Sequence, residues 1–142
     1  MRFLKTLQRP PKDRRGAAAV EMAIVLMLLI VLVFGIIEMG RAIMVHQVLT
    51  NAAREGARRA VIPGATDAQV TSRIDQYMAA ANITGYTQTI EINGSAGSLS
   101  TAASKDQVGV AVSVPYSDVS YGVMRMISPS RVFAAQVNMR NE

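Results

Sequence analysis

The segment that most constrains this chain is the run Ala17–Ile37, which holds 21 residues and a single charged side chain, Glu21. As an α-helix it would extend about 31 Å at about 1.5 Å per residue, close to the ~30 Å hydrocarbon core of a bilayer. An acid at this depth is costly in lipid, so we expect Glu21 to have a function. The run therefore predicts a transmembrane segment over residues 17–37 with a functional carboxylate near its start.

The net charge of +5 lies entirely before this run. Residues 1–16 hold six basic residues and one acidic residue, whereas residues 17–142 hold nine of each. Because a basic flank is retained on the cytoplasmic side, residues 1–16 are predicted to be a cytoplasmic leader and the C-terminal part to be extracytoplasmic. Nucleic-acid binding is not expected, because a surface that binds phosphates needs its positive charge on the folded domain.

Helical periodicity continues beyond the apolar run. No proline occurs between Arg41 and Val61, and Pro63-Gly64 then ends the pattern. We therefore predict one long helix over residues 17–62, amphipathic in its second half. Its buried stripe is expected to contain small and apolar residues at steps of three and four, namely Ala42, Val45, Leu49, Ala52, Gly56 and Ala60, widened by Val48, Ala53 and Ala57.

Two charge pairs are expected on this helix. Glu38 and Arg41 are three residues apart at the end of the apolar run, and Glu55 and Arg59 are four residues apart in the amphipathic half. Opposite charges at these spacings are neighbours on a helix surface. Both pairs are therefore predicted to form within the helix.

Residues 63–142 predict a small α+β unit. Thr66-Asp67 is a suitable N-cap for a second helix over residues 67–81. Asn93–Ser104 is rich in small residues and predicts a flexible loop, and Val119–Ile127 predicts a short helical turn. Alternating β-formers predict the strands of a small antiparallel sheet, which are Tyr86–Ile92, Val108–Val114 and Val132–Met139. The long helix is expected to pack on this sheet, since a unit of about 80 residues buries only a modest core alone.

The sequence offers little catalytic chemistry. It has no cysteine, one histidine (His46) within the long helix, and carboxylates scattered without an acid–base partner. It also lacks a phosphate-binding loop with its lysine and following helix. We therefore expect a protein that is not an enzyme and that uses no cofactor and no metal.

Three short patterns resemble a known family. Arg15-Gly16 followed by Glu21 and an apolar helix resembles the class III signal of type IV pilin-like proteins. Glu38-Met-Gly-Arg41 is similar to a segment of the TadE-like family, the minor pseudopilins of the tight-adherence (Tad/Flp) pilus. The strongest likeness to that family is a stretch of eight consecutive residues: Asn51, Ala52, Ala53, Arg54, Glu55, Gly56, Ala57 and Arg58.

The resemblance implies a truncated pilin-like fold and a processing step. A prepilin peptidase on the cytoplasmic face would cut between Gly16 and Ala17, which makes Glu21 the fifth residue of the new chain. Cleavage would remove the whole charge excess of the leader and create an amine that Glu21 can pair with, in its own or an adjoining subunit. Glu38 and Arg41 are the other residues expected to act in helix pairing and assembly.

The resemblance also implies a location and partners. The chain would cross the bacterial inner membrane once, with its C-terminal domain in the periplasm, and would enter the pilus after processing. Its partners would be membrane lipid, the prepilin peptidase, other pilins and pseudopilins, and the inner-membrane assembly platform. Its role would be to help initiate or assemble a Tad-type adhesion pilus.

Other functions fit parts of the sequence. A permanent single-pass scaffold of a secretion system would keep residues 1–16 and would tolerate Glu21→Leu. A membrane-tethered enzyme or binding domain would need a group of reactive residues that the sequence does not show. A secretory signal peptide fits the basic flank, but the apolar run is long and is followed by Glu38-Met-Gly-Arg41 rather than by an A-x-A-like site.

Overall fold

The computed structural model describes residues 14–120 and 131–140. The chain divides into two compact units, Met1–Phe34 and Gly35–Glu142. Helix α1, Arg14–Ala60, supplies residues to both units and is 47 residues long. The structure therefore confirms the long N-terminal helix, although the helix starts three residues before the expected Ala17. The predicted division into leader, helix and domain stays a prediction.

The second unit is an α+β structure, as predicted. Its elements beyond α1 follow in chain order, namely α2 (Asp67–Ala80), β1 (Thr87–Ile92), β2 (Ser95–Ala96), a 3₁₀ turn (Leu99–Thr101), β3 (Gln107–Pro115), α3 (Tyr116–Val119) and β4 (Val132–Arg140). The expected helix and the three expected strands all form within one or two residues of their predicted bounds.

Helix α2 starts as its sequence predicts. The Thr66 hydroxyl accepts a hydrogen bond from the Gln69 backbone N–H at 3.4 Å, and the Thr66 N–H donates to Gln69 Oε1 at 3.3 Å. This reciprocal arrangement is a capping box, which satisfies two of the N–H groups that a helix start leaves unpaired. The confirmed cap fixes the point at which the chain turns back after α1.

The four strands form one antiparallel sheet in the order β2-β1-β3-β4. Strand β3 pairs with β4 from Gln107 opposite Arg140 to Pro115 opposite Val132 without interruption. The alternation of Val108 to Val114 is explained by this sheet, because these valines all point into the core while the residues between them point away.

The core lies between the sheet and the two helices. Three groups of residues meet there: from α1 Val45, Leu49, Ala52, Ala53, Ala57 and Ala60, from α2 Val70, Ile74 and Met78, and from β3 Val108, Val110, Val112 and Val114. The stripe predicted for α1 is therefore confirmed. Its many alanines let the helix backbone approach its neighbours closely, and each larger apolar side chain contributes about 1.5–3 kcal/mol when fully buried.

One expectation of the small elements needs correction, and a second lies largely outside the described residues. Asn93–Ser104 is not simply a loop, because Ser95 and Ala96 pair with the end of β1 and a 3₁₀ turn follows. The Asp67 carboxylate accepts a hydrogen bond from the Leu99 backbone N–H at 2.8 Å and ties this segment to α2. The helical turn expected over Val119–Ile127 lies largely outside the described residues, while α3 ends at Val119.

Candidate assembly site

The first unit presents an apolar helix surface. Every described side chain from Gly16 to Phe34 is exposed, including large residues such as Leu26, Ile30 and Phe34 at 46–51% of their full accessible area. Within the described residues, α1 is long and apolar enough to cross a membrane. An apolar helix near the N-terminus that buries none of this surface indicates membrane anchoring.

The expected processing residues all lie in this helix. Gly16 and Ala17 are helical, and a Cβ atom added to Gly16 would meet no other atom within 4 Å. Glu21 is exposed, and no described residue forms a hydrogen bond with it. It is the only charged residue among the described side chains between Gly16 and Ile37. The structure therefore leaves the Glu21 carboxylate available for a partner from outside the subunit.

Glu38 occupies a different environment. Only 3% of this residue is exposed, although it follows the apolar run directly. Its Oε1 atom accepts hydrogen bonds from the Tyr116 hydroxyl and the Ser120 hydroxyl, both at 2.5 Å. A buried carboxylate without such donors would be strongly destabilising. These two hydroxyls therefore connect α1 to the segment that follows β3.

Tyr116 is itself held in place by its surroundings. Its ring meets the Phe133 ring of β4 edge-to-face, with centroids 5.3 Å apart. Its backbone N–H donates to the Arg131 carbonyl at 2.8 Å. Burial raises the pKa of the Tyr116 phenol, and the hydrogen bond to Glu38 raises it further. The phenol therefore stays protonated and serves as a hydrogen-bond donor at neutral pH.

Arg41 binds the same segment from the next turn of α1. Its Nε atom donates to the Val119 carbonyl at 3.2 Å. The ion pairs of the described residues involve Glu55, and the predicted pair between Glu38 and Arg41 is not among them. Glu38 and Arg41 instead hold α3 and the residue after it, so we call Glu38, Arg41, Tyr116 and Ser120 the junction cluster.

The motif from Asn51 to Arg58 has a buried side and an exposed side. Ala52, Ala53, Gly56 and Ala57 lie in the core. A Cβ atom on Gly56 would lie 2.9 Å from Ile74 Cδ1 and 3.2 Å from Val110 Cγ1, which is closer than side chains normally pack. The small residues of the motif are therefore explained by the close approach of α1 to α2 and β3.

The exposed side of the motif carries an ion-pair network. Glu55 Oε1 accepts from Arg58 Nη2 and from Arg73 Nη2 of α2, each at 2.8 Å. The hydrogen bonds from Arg58 and then Arg73 lower the pKa of Glu55 to about 2. The expected partner Arg59 does not join this pair and donates instead to Gln69 Oε1 at 2.7 Å. The prediction was wrong here because α2 packs alongside α1 and supplies competing partners.

The remaining exposed residues of the motif form no hydrogen bond to another element among the described residues. Asn51 Oδ1 accepts a hydrogen bond from Arg54 Nη1 at 3.3 Å on the same helix face. Asn51, Arg54 and Arg58 are all exposed. Asn51 and Arg54 therefore bond to each other on the exposed face of α1, while Arg58 bonds to Glu55.

Sequence reasoning did not find Tyr116, Ser120 or Arg73 as partners of the helix acids. Tyr116 and Ser120 are 78 and 82 residues beyond Glu38, and Arg73 is 18 residues beyond Glu55. Periodicity and local spacing report only neighbours on the same element, so these contacts carry no local signal. A buried position for Glu38 was the one hint available, since it continues the apolar run.

The fold and the exposed helix define a class of protein: one with an apolar helix suited to membrane anchoring and an α+β unit that includes the second half of the same helix. Comparison with family models is more specific, because residues 16–58 match the model of the TadE-like protein family. This match covers Gly16, Glu21, the Glu38–Arg41 pattern and the whole Asn51–Arg58 motif, and it confirms the resemblance to the TadE-like family over residues 16–58. Neither the curated proteins nor the solved structures gave a match. The similarity to the TadE-like family thus covers residues 16–58.

Proposed function

We propose that this chain is a minor pilin- or pseudopilin-like subunit that helps to initiate or assemble a Tad-type adhesion pilus. In this proposal, a prepilin peptidase cuts between Gly16 and Ala17, and the processed subunit passes from the inner membrane into the pilus. The observation that carries the proposal is the exposed helix from Gly16 to Phe34 with its single acid, Glu21. Such a surface needs lipid first and helices of other subunits afterwards.

The position of Glu21 supports a switch on cleavage. The new amine at Ala17 would be four residues before Glu21, one helical turn away on the same face. In an apolar environment, where burying either charge alone is costly, the amine and the carboxylate reduce that cost by pairing with each other. Pairing within a subunit keeps the helix in lipid, and pairing with an adjoining subunit sets the axial offset between two packed helices.

The junction cluster supports the mechanical side of the proposal. A pilus subunit has to transmit force between its packed helix and its outer domain. Within the second unit, Glu38 and Arg41 bind the segment Tyr116–Ser120 through three hydrogen bonds. Together with the core alanines, these bonds hold α1 in the domain and prevent it from sliding along the sheet.

The first experiment measures cleavage directly. The protein is extracted from membranes of cells with and without an active prepilin peptidase, and its N-terminus is sequenced. We expect Ala-Ala-Ala-Val-Glu in the presence of the peptidase and an intact Met1 in its absence. Gly16→Val should block cleavage, whereas the matched control Gly35→Val, also in the exposed part of the helix, should leave it unchanged. An intact Met1 with an active peptidase would reject the processing step.

The second experiment tests Glu21 in assembly. Glu21→Leu removes the charge and should keep the protein in the membrane while the yield of pili falls strongly. Glu21→Gln keeps the shape and hydrogen-bonding capacity but loses the charge, so it should show the same defect if ion pairing is the cause. Normal pilus yield with Glu21→Leu would contradict the proposed role.

A second function has one specific observation in its favour. The bond between Gly16 and Ala17 lies inside α1, two residues after the helix begins at Arg14. Proteases bind extended backbone, so this bond must leave the helix before it is cut. An uncleaved single-pass scaffold of a secretion system needs no such opening. The two functions are separated by the sequencing experiment, because a scaffold keeps its leader when the peptidase is active.

A further inference from the structure

Strand β4 forms one edge of the sheet. It pairs with β3 along all nine of its residues, from Val132 to Arg140, and no described strand pairs with its other side. At the opposite edge, β2 is only two residues long. A long edge strand offers a row of unpaired backbone groups and is a template for another strand.

Strand β4 lacks the features that normally protect an edge. Its sequence from Val132 to Met139 contains no charged residue and no proline. Its pairing with β3 shows a constant register, so no bulge twists the edge away. Proteins commonly use charges, prolines or bulges to prevent unwanted pairing at such an edge. The absence of all three features over eight residues favours an edge that pairs with another strand.

The inner face of β4 is also incompletely covered. Phe133, Val137 and Met139 pack against the core but stay partly exposed, whereas the valines of β3 are fully buried. On the outer face, Val132 keeps 60% of its area exposed. A strand added beside β4 would extend the apolar inner layer and cover these side chains.

The sequence of β4 is complementary to itself in the antiparallel direction. Residues directly opposite in an antiparallel pair point to the same face, so inner residues must meet inner residues. The register that also pairs all nine residues is centred on Gln136. It places Phe133 opposite Met139 and Ala135 opposite Val137 on the inner face. On the outer face, Arg140, the only charge in the strand, lies opposite Val132, so no like charges meet.

We propose that β4 pairs with β4 of a second copy of this chain, antiparallel and with Gln136 opposite Gln136 of the second copy, to form a continuous eight-stranded sheet. This inference does not depend on cleavage after Gly16, so it can be tested on the uncut Gly16→Val chain as well. The proposed pairing is a contact between the α+β units of two copies. It is separate from any contact between their apolar helices.

The chain is well suited to a cross-linking test because it has no cysteine. Gln136→Cys in the full-length protein, in membranes, should form a disulfide-linked dimer with a mild oxidant. Opposite Cα atoms in an antiparallel pair are about 4.5–5.5 Å apart, within the range that a disulfide spans. The matched control is Ala134→Cys on the same face. Its counterpart would be four residues away along the partner strand, about 13 Å, and should not cross-link.

A mixed experiment tests the register. Cells that make Ala134→Cys and Asn138→Cys chains together should give a cross-linked dimer of the two, although neither chain cross-links when made alone. Gln136→Lys in both chains puts like charges opposite each other and should lower this yield roughly two- to fivefold. Gln136→Met keeps the length without the charge and should leave the yield unchanged. Glu91→Gln accompanies both substitutions, because Glu91 accepts from Gln136 Nε2 at 2.6 Å and would otherwise neutralise the lysine.

Each outcome decides the question. A Gln136→Cys dimer with no Ala134→Cys dimer supports the proposal. Equal cross-linking at both positions shows random collision or another register and overturns it, as does the absence of any cross-link at Gln136. An unchanged yield with Gln136→Lys also overturns it, since pairing at this position cannot tolerate two facing cations without loss.

Discussion

Removing the Tyr116 hydroxyl tests whether the junction cluster stabilises the fold. Tyr116→Phe keeps the ring that packs against Phe133 and deletes one donor to Glu38. A hydrogen bond to a carboxylate in a buried site contributes about 1.5–3 kcal/mol. For a unit of about 100 residues, each kcal/mol shifts the melting temperature by about 4–8 °C. We therefore expect the variant to melt roughly 10 °C below the parent protein.

The measurement is a thermal melt of the full chain in detergent, followed by circular dichroism at constant protein concentration. Tyr77→Phe is the matched control, because the Tyr77 side chain is exposed and has no hydrogen bond to a described residue. Ser120→Ala removes the second donor and should give a loss of similar size. A melting temperature for Tyr116→Phe within about 2 °C of that for Tyr77→Phe would show that the Glu38 hydrogen bonds contribute nothing net.

Three further predictions concern the second unit. Glu55→Gln should cost about 1 kcal/mol or less at pH 7, because the arginine partners are exposed. Since the pKa of Glu55 is lowered from 4.5 to about 2, the parent should lose this stability as the pH falls from 4.5 towards 2, and acid titration of the variant should lack that loss. Gly56→Ala should leave the free energy of unfolding in urea unchanged or lower it by up to about 2 kcal/mol, because the new Cβ overpacks the core and offsets the gain in helix propensity. Gly40→Ala is the matched control, because no atom lies within 4 Å of its new Cβ. It should raise the free energy of unfolding by up to about 1 kcal/mol. Burial, aided by the hydrogen bond to Asp75, raises the pKa of Tyr86 to about 12. The stability of the parent should therefore fall as the pH rises from 10 to 12, and that of Tyr86→Phe should fall less. An ultraviolet titration of the phenol, with thermal melts at each pH, measures both.

The elements of this fold could be predicted from sequence because each has a strong local pattern. The alternation from Val108 to Val114 marks a strand that is buried on one face, and Thr66 followed by Gln69 marks a helix start. The stripe of α1 was predictable for the same reason, since small residues at helical spacing indicate one buried face. These signals lie within a few residues of each other and need no knowledge of the tertiary structure.

The partners of charged residues could not be predicted in the same way. Glu55 has Arg59 at a favourable helical spacing, yet the structure pairs it with Arg58 and Arg73. The choice depends on α2, which packs against α1 where Ile74 lies close to Gly56 and which brings Arg73 to Glu55. The two-residue strand β2 was missed because its pairing depends on the turn after β1, where Asn93 has a left-handed φ of 52°. Side-chain contacts between distant elements thus follow from the tertiary fold and have no local sequence pattern from which they could be predicted.

The burial of Glu38 has a consequence for the order in which the protein matures. The chain emerges from the ribosome with its anchor first, but the hydroxyls that satisfy this acid come 78 and 82 residues later. Until Tyr116 and Ser120 have been made and packed against α1, the Glu38 carboxylate must therefore remain hydrated. Completion of the second unit removes that water, so a finished chain differs from an unfinished one in the surroundings of Glu38.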